Sequence, residues 1–140
     1  MSSPTANTGQ GGIGSGFPGL LGLRLSDVGP DGVTMTLEVR PELHQPYGIV
    51  HGGVWCSVVE TAASIAAAAW YGERGRVVGV SNHTDFIRGI SEGRATAAAT
   101  PIHRGRLQQL WLVEIRSEDG RMVARGEVRI QNLPAETAQG

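Results

Sequence analysis

The run from Val54 to Tyr71, VWCSVVETAASIAAAAWY, constrains this chain more than any other stretch. It is rich in Ala, the strongest helix former, and has neither Gly nor Pro inside it, so it reads as one uninterrupted helix. A helix apolar on all faces has to be covered on all faces. Its length approaches that of a short membrane span. It nevertheless carries Glu60 near its middle, where a bilayer tolerates a carboxylate poorly, and no second apolar run accompanies it. The reading is a core helix and no membrane partner.

A buried helix needs a cover, and the flanking sequence supplies strands. Val33, Met35, Leu37 and Val39 alternate with polar residues, the period of a half-buried antiparallel strand. It follows a short apolar element, FPGLLGLRL, and a Gly29-Pro30-Asp31-Gly32 turn. After the helix, strand-like runs cover Val77 to Arg88, Arg94 to His103, Gln108 to Ser117 and Met122 to Gln131. Asp119-Gly120 marks a hairpin between the last two. The order predicts an α+β chain in which four later strands form a meander and the sheet covers the helix. One helix protects one sheet face, so self-association is expected.

The 140 residues suffice for one domain. Residues 1–16 and 134–140 are too polar to offset the entropy of ordering and are expected as flexible tails around a domain at 17–133. The net charge is -1 and all 12 basic residues are Arg, so nothing calls for nucleic acid, and Schiff-base or P-loop lysine chemistry is excluded. A single cysteine and an N-terminus without a basic start or apolar core point to the cytoplasm. The four histidines lack metal-ligand spacing, and neither a metal nor a cofactor is expected.

Glu60 is the residue that asks for a function, because an unpaired carboxylate is costly to bury. Cys56 lies four residues before it and Ser64 four after, giving one polar stripe on an apolar helix. Cys56 itself reads as a small hydrophobe rather than a nucleophile. His51-Gly52-Gly53 opens the helix, where backbone N–H groups lack intrahelical partners and glycine lets a ligand approach, the makings of an oxyanion site. Gly52 and Glu60 stand about 12 Å apart along a helix, too far to meet one carbonyl. If both act on one substrate, two chains supply them across a twofold axis. Arg104-Gly105-Arg106 forms a cationic turn able to hold the phosphates of a ligand or merely to face solvent. Asn82 and Asp85 are polar strand positions that line a substrate groove or, as is commoner for such positions, only face solvent, and neither is counted among the site residues.

Gln45-Pro46-Tyr47-Gly48-Ile49-Val50-His51-Gly52-Gly53 followed by Glu60 and Ser64 resembles the signature of hotdog-fold acyl-CoA thioesterases of the phenylacetate-degradation and 4-hydroxybenzoyl-CoA type. Val77-Val78-Gly79-Val80, Phe86-Ile87-Arg88, Glu92-Gly93-Arg94 and the stretch from Pro101 to Arg106 extend the resemblance over about residues 17 to 132. The pattern is most similar to thioesterases acting on 1,4-dihydroxy-2-naphthoyl-CoA and aryl thioesters. The resemblance implies a hotdog fold, an antiparallel sheet wrapped around the helix, assembled as a dimer or tetramer. It implies hydrolysis of an acyl-CoA, aryl or hydroxyaryl, with Glu60 as base or nucleophile and Gly52 N–H polarising the carbonyl. Gln45 is then expected to hold the carbonyl or water, Ser64 to orient Glu60, and His51 to shape the site. Coenzyme A enters only as part of the substrate. A hydratase or dehydratase on the same scaffold, or a non-catalytic acyl-CoA-binding module, are the alternatives.

Overall fold

The computed structural model describes residues 11–136. A two-residue strand β1 (Gly11–Gly12) and a short helix α1 (Phe17–Leu21) precede the hairpin β2 (Arg24–Gly29) and β3 (Gly32–Glu38). Helix α2 (Gly52–Tyr71) follows, then β4 (Gly75–Phe86), β5 (Arg94–Arg104), β6 (Gln108–Arg116) and β7 (Met122–Pro134). The seven strands make one antiparallel sheet in the order β1-β2-β3-β5-β6-β7-β4.

The antiparallel sheet around one long helix is present, and the expected four-strand meander is corrected. β4 pairs with β7 at the far edge, not with β5. The reason lies in the connections. Tight hairpins join β5 to β6 and β6 to β7, whereas residues 87–93 contain no two-residue hairpin turn and carry the chain from one side of the sheet to the other. The apolar element before the Gly29–Gly32 turn also proves to be more than a prelude, since it contains α1 and, in Arg24 and Leu25, the start of β2, which continues to Gly29. Residues expected in the N-terminal tail join the fold at its inner end: Gly11 and Gly12 pair with Leu25 and Arg24, and Ile13 is buried. The tail expectation for residues 1–10 and 137–140 lies outside the described residues.

Period-two alternation is kept in β3 and β6, whose inward residues include Met35, Leu37, Trp111, Val113 and Ile115, all buried. β5 turns Ala95, Ala97 and Ala99 inward, small side chains that fit a sheet packed directly on α2. α2 answers with Val54, Val58, Val59, Ala62, Ala63 and Ala66. All-round burial of the helix is not reached within one chain. Gly53, Ala68 and Ala69 are exposed, and Cys56, Ser57, Glu60, Thr61 and Ser64 are half-buried along one open strip. The polar residues of α2 therefore collect where the sheet stops. β4 borders that strip as an edge strand, with Val78 46%, Val80 54% and Phe86 59% exposed.

Candidate active site

Two clusters of polar groups lie along α2, one at its N-terminus and one two turns further on. The first begins with the turn before the helix. Gln45 N–H donates to Ile49 O (2.8 Å), Gly48 N–H donates to Gln45 O (2.9 Å), and the Gln45 side-chain oxygen accepts from Tyr47 N–H. His51 is the N-cap: its Nδ1 accepts from Gly53 N–H at 2.8 Å, and its carbonyl accepts from Val54 N–H at 2.9 Å. With Nδ1 accepting, a neutral ring carries its proton on Nε2 and presents a donor. Two of the first helical N–H groups are thus satisfied by His51, and that of Gly52 has no hydrogen-bond partner among the described residues.

These residues line a groove of about 480 Å³, bounded by Gln45, Ile49, His51, Gly52, Trp55, Phe86 and Arg88 among others. Its walls are largely apolar. Phe86, at the end of β4, lies against Gly52 so closely that a Cβ there would stand 2.9 Å from the ring. Glycine at this position lets an aromatic wall and a free N–H share one place. On the other side of the mouth Arg88 donates to Ser117 Oγ (2.6 Å) and pairs with Asp119 (3.1 Å). The Asp119 carboxyl is held below the usual carboxylate range, first by the Ser117 hydroxyl and then by the Arg121 N–H.

The second cluster centres on Glu60. Asn82 Nδ2 donates to Glu60 Oε1 at 3.2 Å, and Ser64 Oγ approaches Oε2 at 3.5 Å. Gly79 of β4 lies flat against the carboxylate, and a Cβ at that position would fall 2.2 Å from Oε2. Asn82, a polar strand position of the kind that more commonly only faces solvent, is exposed at the open edge of β4 and also turns its amide to Glu60. The register of β4 against β7 breaks between Gly79 and Ser81. The extra residue reverses the parity of the strand, so Gly79 before the bulge and Asn82 after it both look at α2. No periodicity in the sequence announces that break.

The structure therefore gathers Gln45, His51 and Gly52 in one place and Glu60 and Ser64 in another, and does not join the two groups within one chain. Arg104, Gly105 and Arg106 stand apart from both, in the β5–β6 turn. Arg104 is engaged there, donating to Pro30 O (2.8 Å) and pairing with Asp31 (2.9 Å), while Arg106 is exposed. A buried relay holds this turn: Trp111 Nε1 donates to Gln109 (2.7 Å), Gln109 to Asn132 (2.7 Å), and Asn132 to the carbonyls of Gly105 (3.0 Å) and Arg106 (3.1 Å). Neither Gln109 nor Asn132 drew attention in the sequence, and both are fully satisfied groups of the kind that specify a core.

Residues 47–124 match the model of the Thioesterase superfamily. Among curated proteins, Rv1847 of Mycobacterium tuberculosis is 55% identical over 122 residues, which cover 85% of this chain and 87% of Rv1847. Its solved structure superimposes with a TM-score of 0.83 over 84% of this chain and 96% of that one. The structure of S. sahachiroi AziG is 49% identical, with a TM-score of 0.85 over 86% of this chain and 98% of AziG. The 1,4-dihydroxy-2-naphthoyl-CoA hydrolase of Escherichia coli is 32% identical over 104 residues, 74% of this chain and 76% of the hydrolase. A hotdog architecture with a carboxylate on its central helix is the class that fold and site define, and the chain belongs to the thioesterase superfamily. It is a thioester hydrolase.

Proposed function

We propose that the protein hydrolyses an acyl-CoA thioester to a free acid and coenzyme A, with Glu60 as the catalytic carboxylate. The observation that supports this reading is the setting of Glu60: a half-buried carboxylate, each oxygen approached by a donor, on the same helix that begins with the Gly52 N–H. Gly52 N–H polarises the thioester carbonyl, with Gln45 beside it on the carbonyl or the water, and its strength grows as negative charge builds on that oxygen. Glu60 acts as base toward water or as nucleophile toward the carbonyl carbon. As general base it takes the water proton, the new C–O bond forms, the C–S bond breaks, and the proton passes to the departing thiolate. Ser64 steadies Glu60 or the water, and His51 caps the helix and shapes the groove.

The spacing of about 12 Å between Gly52 and Glu60 along α2 calls for two chains per site. The open strip of α2 and the free edge of β4 lie side by side, so two copies paired through this region in antiparallel sense set Gly52 of one against Glu60 of the other. The reading is a homodimer with two equivalent sites, able to pair again into a tetramer, working on coenzyme A thioesters in the cytoplasm. An aryl or hydroxyaryl acyl group suits the flat apolar walls offered by Trp55 and Phe86, and the named substrate of the E. coli relative is of that kind. Arg106 is the exposed cation of the β5–β6 turn offered to the coenzyme A phosphates.

Hydrolysis of a panel of aliphatic, benzoyl, hydroxybenzoyl, phenylacetyl and dihydroxynaphthoyl thioesters, followed with a thiol reagent, tests the reaction, and Glu60→Ala tests the carboxylate. Turnover lost in the variant supports both; a folded protein releasing no thiol from any member rejects the hydrolase reading. The shared site has its own test. Gly52→Pro removes the N–H from a backbone that accepts proline, since this is the first helical position and His51 is already extended, and Gly52→Ala, whose Cβ meets the Phe86 ring in the same way but keeps the N–H, separates the lost donor from the displaced ring. Co-refolding Gly52→Pro with Glu60→Ala restores about a quarter of wild-type activity if sites are built from two chains, because half the dimers are mixed and each regains one site. Failure to restore any activity assigns both groups to one chain.

A further inference from the structure

We propose that Asn82, oriented by Thr84, is the residue that positions the Glu60 carboxylate. The inference rests on Glu60 being the catalytic group. An amide can be turned either way, and here the choice is made by a neighbour. Thr84 Oγ1 donates to Asn82 Oδ1 at 2.7 Å, which leaves the NH₂ end facing the helix. That end meets two acceptors on successive turns of α2, the Cys56 carbonyl and Glu60 Oε1, both at 3.2 Å. The carbonyl of Cys56 is fixed by the helix, so Asn82 ties the mobile carboxylate to a rigid reference. Ser64, the partner expected from helical spacing, stands at 3.5 Å and is the weaker tether.

The surroundings are shaped for this chain of contacts. Thr84 lies opposite Gly126 in the β4–β7 ladder, and a Cβ on Gly126 would come within 2.8 Å of both Thr84 Oγ1 and Val59. Gly126 thus leaves room for the threonine between sheet and helix. Gly79 leaves room for Glu60 in the same way. The bulge between them turns Asn82 and Thr84 inward together. Two glycines, a bulge and two polar side chains serve one carboxylate that the helix alone would leave free to rotate.

The test uses the full-length enzyme and the fastest substrate of the panel. Asn82→Leu keeps the volume and removes the donor; kcat is expected to fall about 30- to 100-fold with KM changed less than about twofold, the signature of misplacement rather than lost binding. Thr84→Val is expected to lower kcat by several-fold, Thr84→Ser to restore it, and Asn82→Leu with Thr84→Val to be no slower than Asn82→Leu alone, because Thr84 acts through Asn82. If Asn82→Leu gives no cooperative melting transition, the Thr84 pair carries the test. The proposal is overturned if Glu60→Ala is inactive while Asn82→Leu keeps wild-type kcat, or if Thr84→Ser is as slow as Thr84→Val. Should Glu60→Ala itself turn over normally, the reading of Glu60 falls first and this inference with it.

Discussion

The two polar clusters on α2 are built by different means. At the N-terminus the cluster comes from one continuous stretch, Gln45 to Gly53, and the group proposed to act there is a backbone N–H of the kind any helix start provides. At mid-helix the group proposed to act is the Glu60 side chain, and its surroundings are borrowed from β4, some twenty residues further along the chain. Backbone donors are held by the helix itself and need only space, which Gly52 supplies. A carboxylate on a flexible stem needs an external frame, and Asn82, Ser64 and Gly79 form it. One cluster is robust because it is local, and the other is exact in its geometry only as long as the β4 register holds.

Substitutions divide along that line. Glu60→Ala is expected to have the largest effect, lowering kcat by about 10³-fold or more, on the order of 4 kcal/mol, with no fall in melting temperature because a half-buried charge is removed. Gly52→Pro should cost less, about 10²-fold in kcat relative to Gly52→Ala, which crowds Phe86 equally, the usual worth of one oxyanion donor. Equal losses from the two would erase the distinction between frame and helix start. Gly79→Ala comes next. Its methyl overlaps Glu60 Oε2, which can swing aside, so kcat should drop by roughly tenfold while denaturant unfolding barely changes; a large loss of stability with kcat intact would mean that the backbone yields instead of the carboxylate.

His51→Ala reverses the balance, acting on stability more than on the carboxylate. Losing the N-cap is expected to cost about 1 kcal/mol, seen by calorimetry as a melting temperature lower by roughly 3–5 °C. The smallest effect is at the mouth of the groove. Asp119 has its pKa lowered in the folded chain by Ser117 and the Arg121 N–H. A depressed carboxyl stabilises the fold above its unfolded value of about 3.9, and that contribution is lost as pH falls through the folded pKa. Acid titration of stability below about pH 4 should therefore be slightly shallower in Asp119→Asn, and an unchanged slope would detach Arg88 and its turn from the account.

Much of this molecule was legible before any coordinates. The helix read as Val54 to Tyr71 runs from Gly52 to Tyr71, and the strands β5, β6 and β7 begin where alternation placed them. Ser64 came from a four-residue spacing and Gly52 from its place before the apolar run. β2 was hidden because its sequence, RLSDVG, is short and does not alternate cleanly. β4 was recognised as a strand and assigned to the wrong neighbour. Asn82 is exposed, as a polar strand position usually is, and its contact with Glu60 depends on a bulge that no periodicity announces.

What the sequence determined by itself is what repeats over a few residues: an apolar helix with one polar stripe, a capped and glycine-lined helix start, alternating strands and the turns between them. These follow from the 3.6- and 2-residue periods and from side-chain types, which need no distant partner. Only the tertiary structure decided which strand lies over Glu60 and which of its side chains look inward. Strand order depends on pairing between distant segments, and a one-residue shift in register exchanges the two faces of a strand.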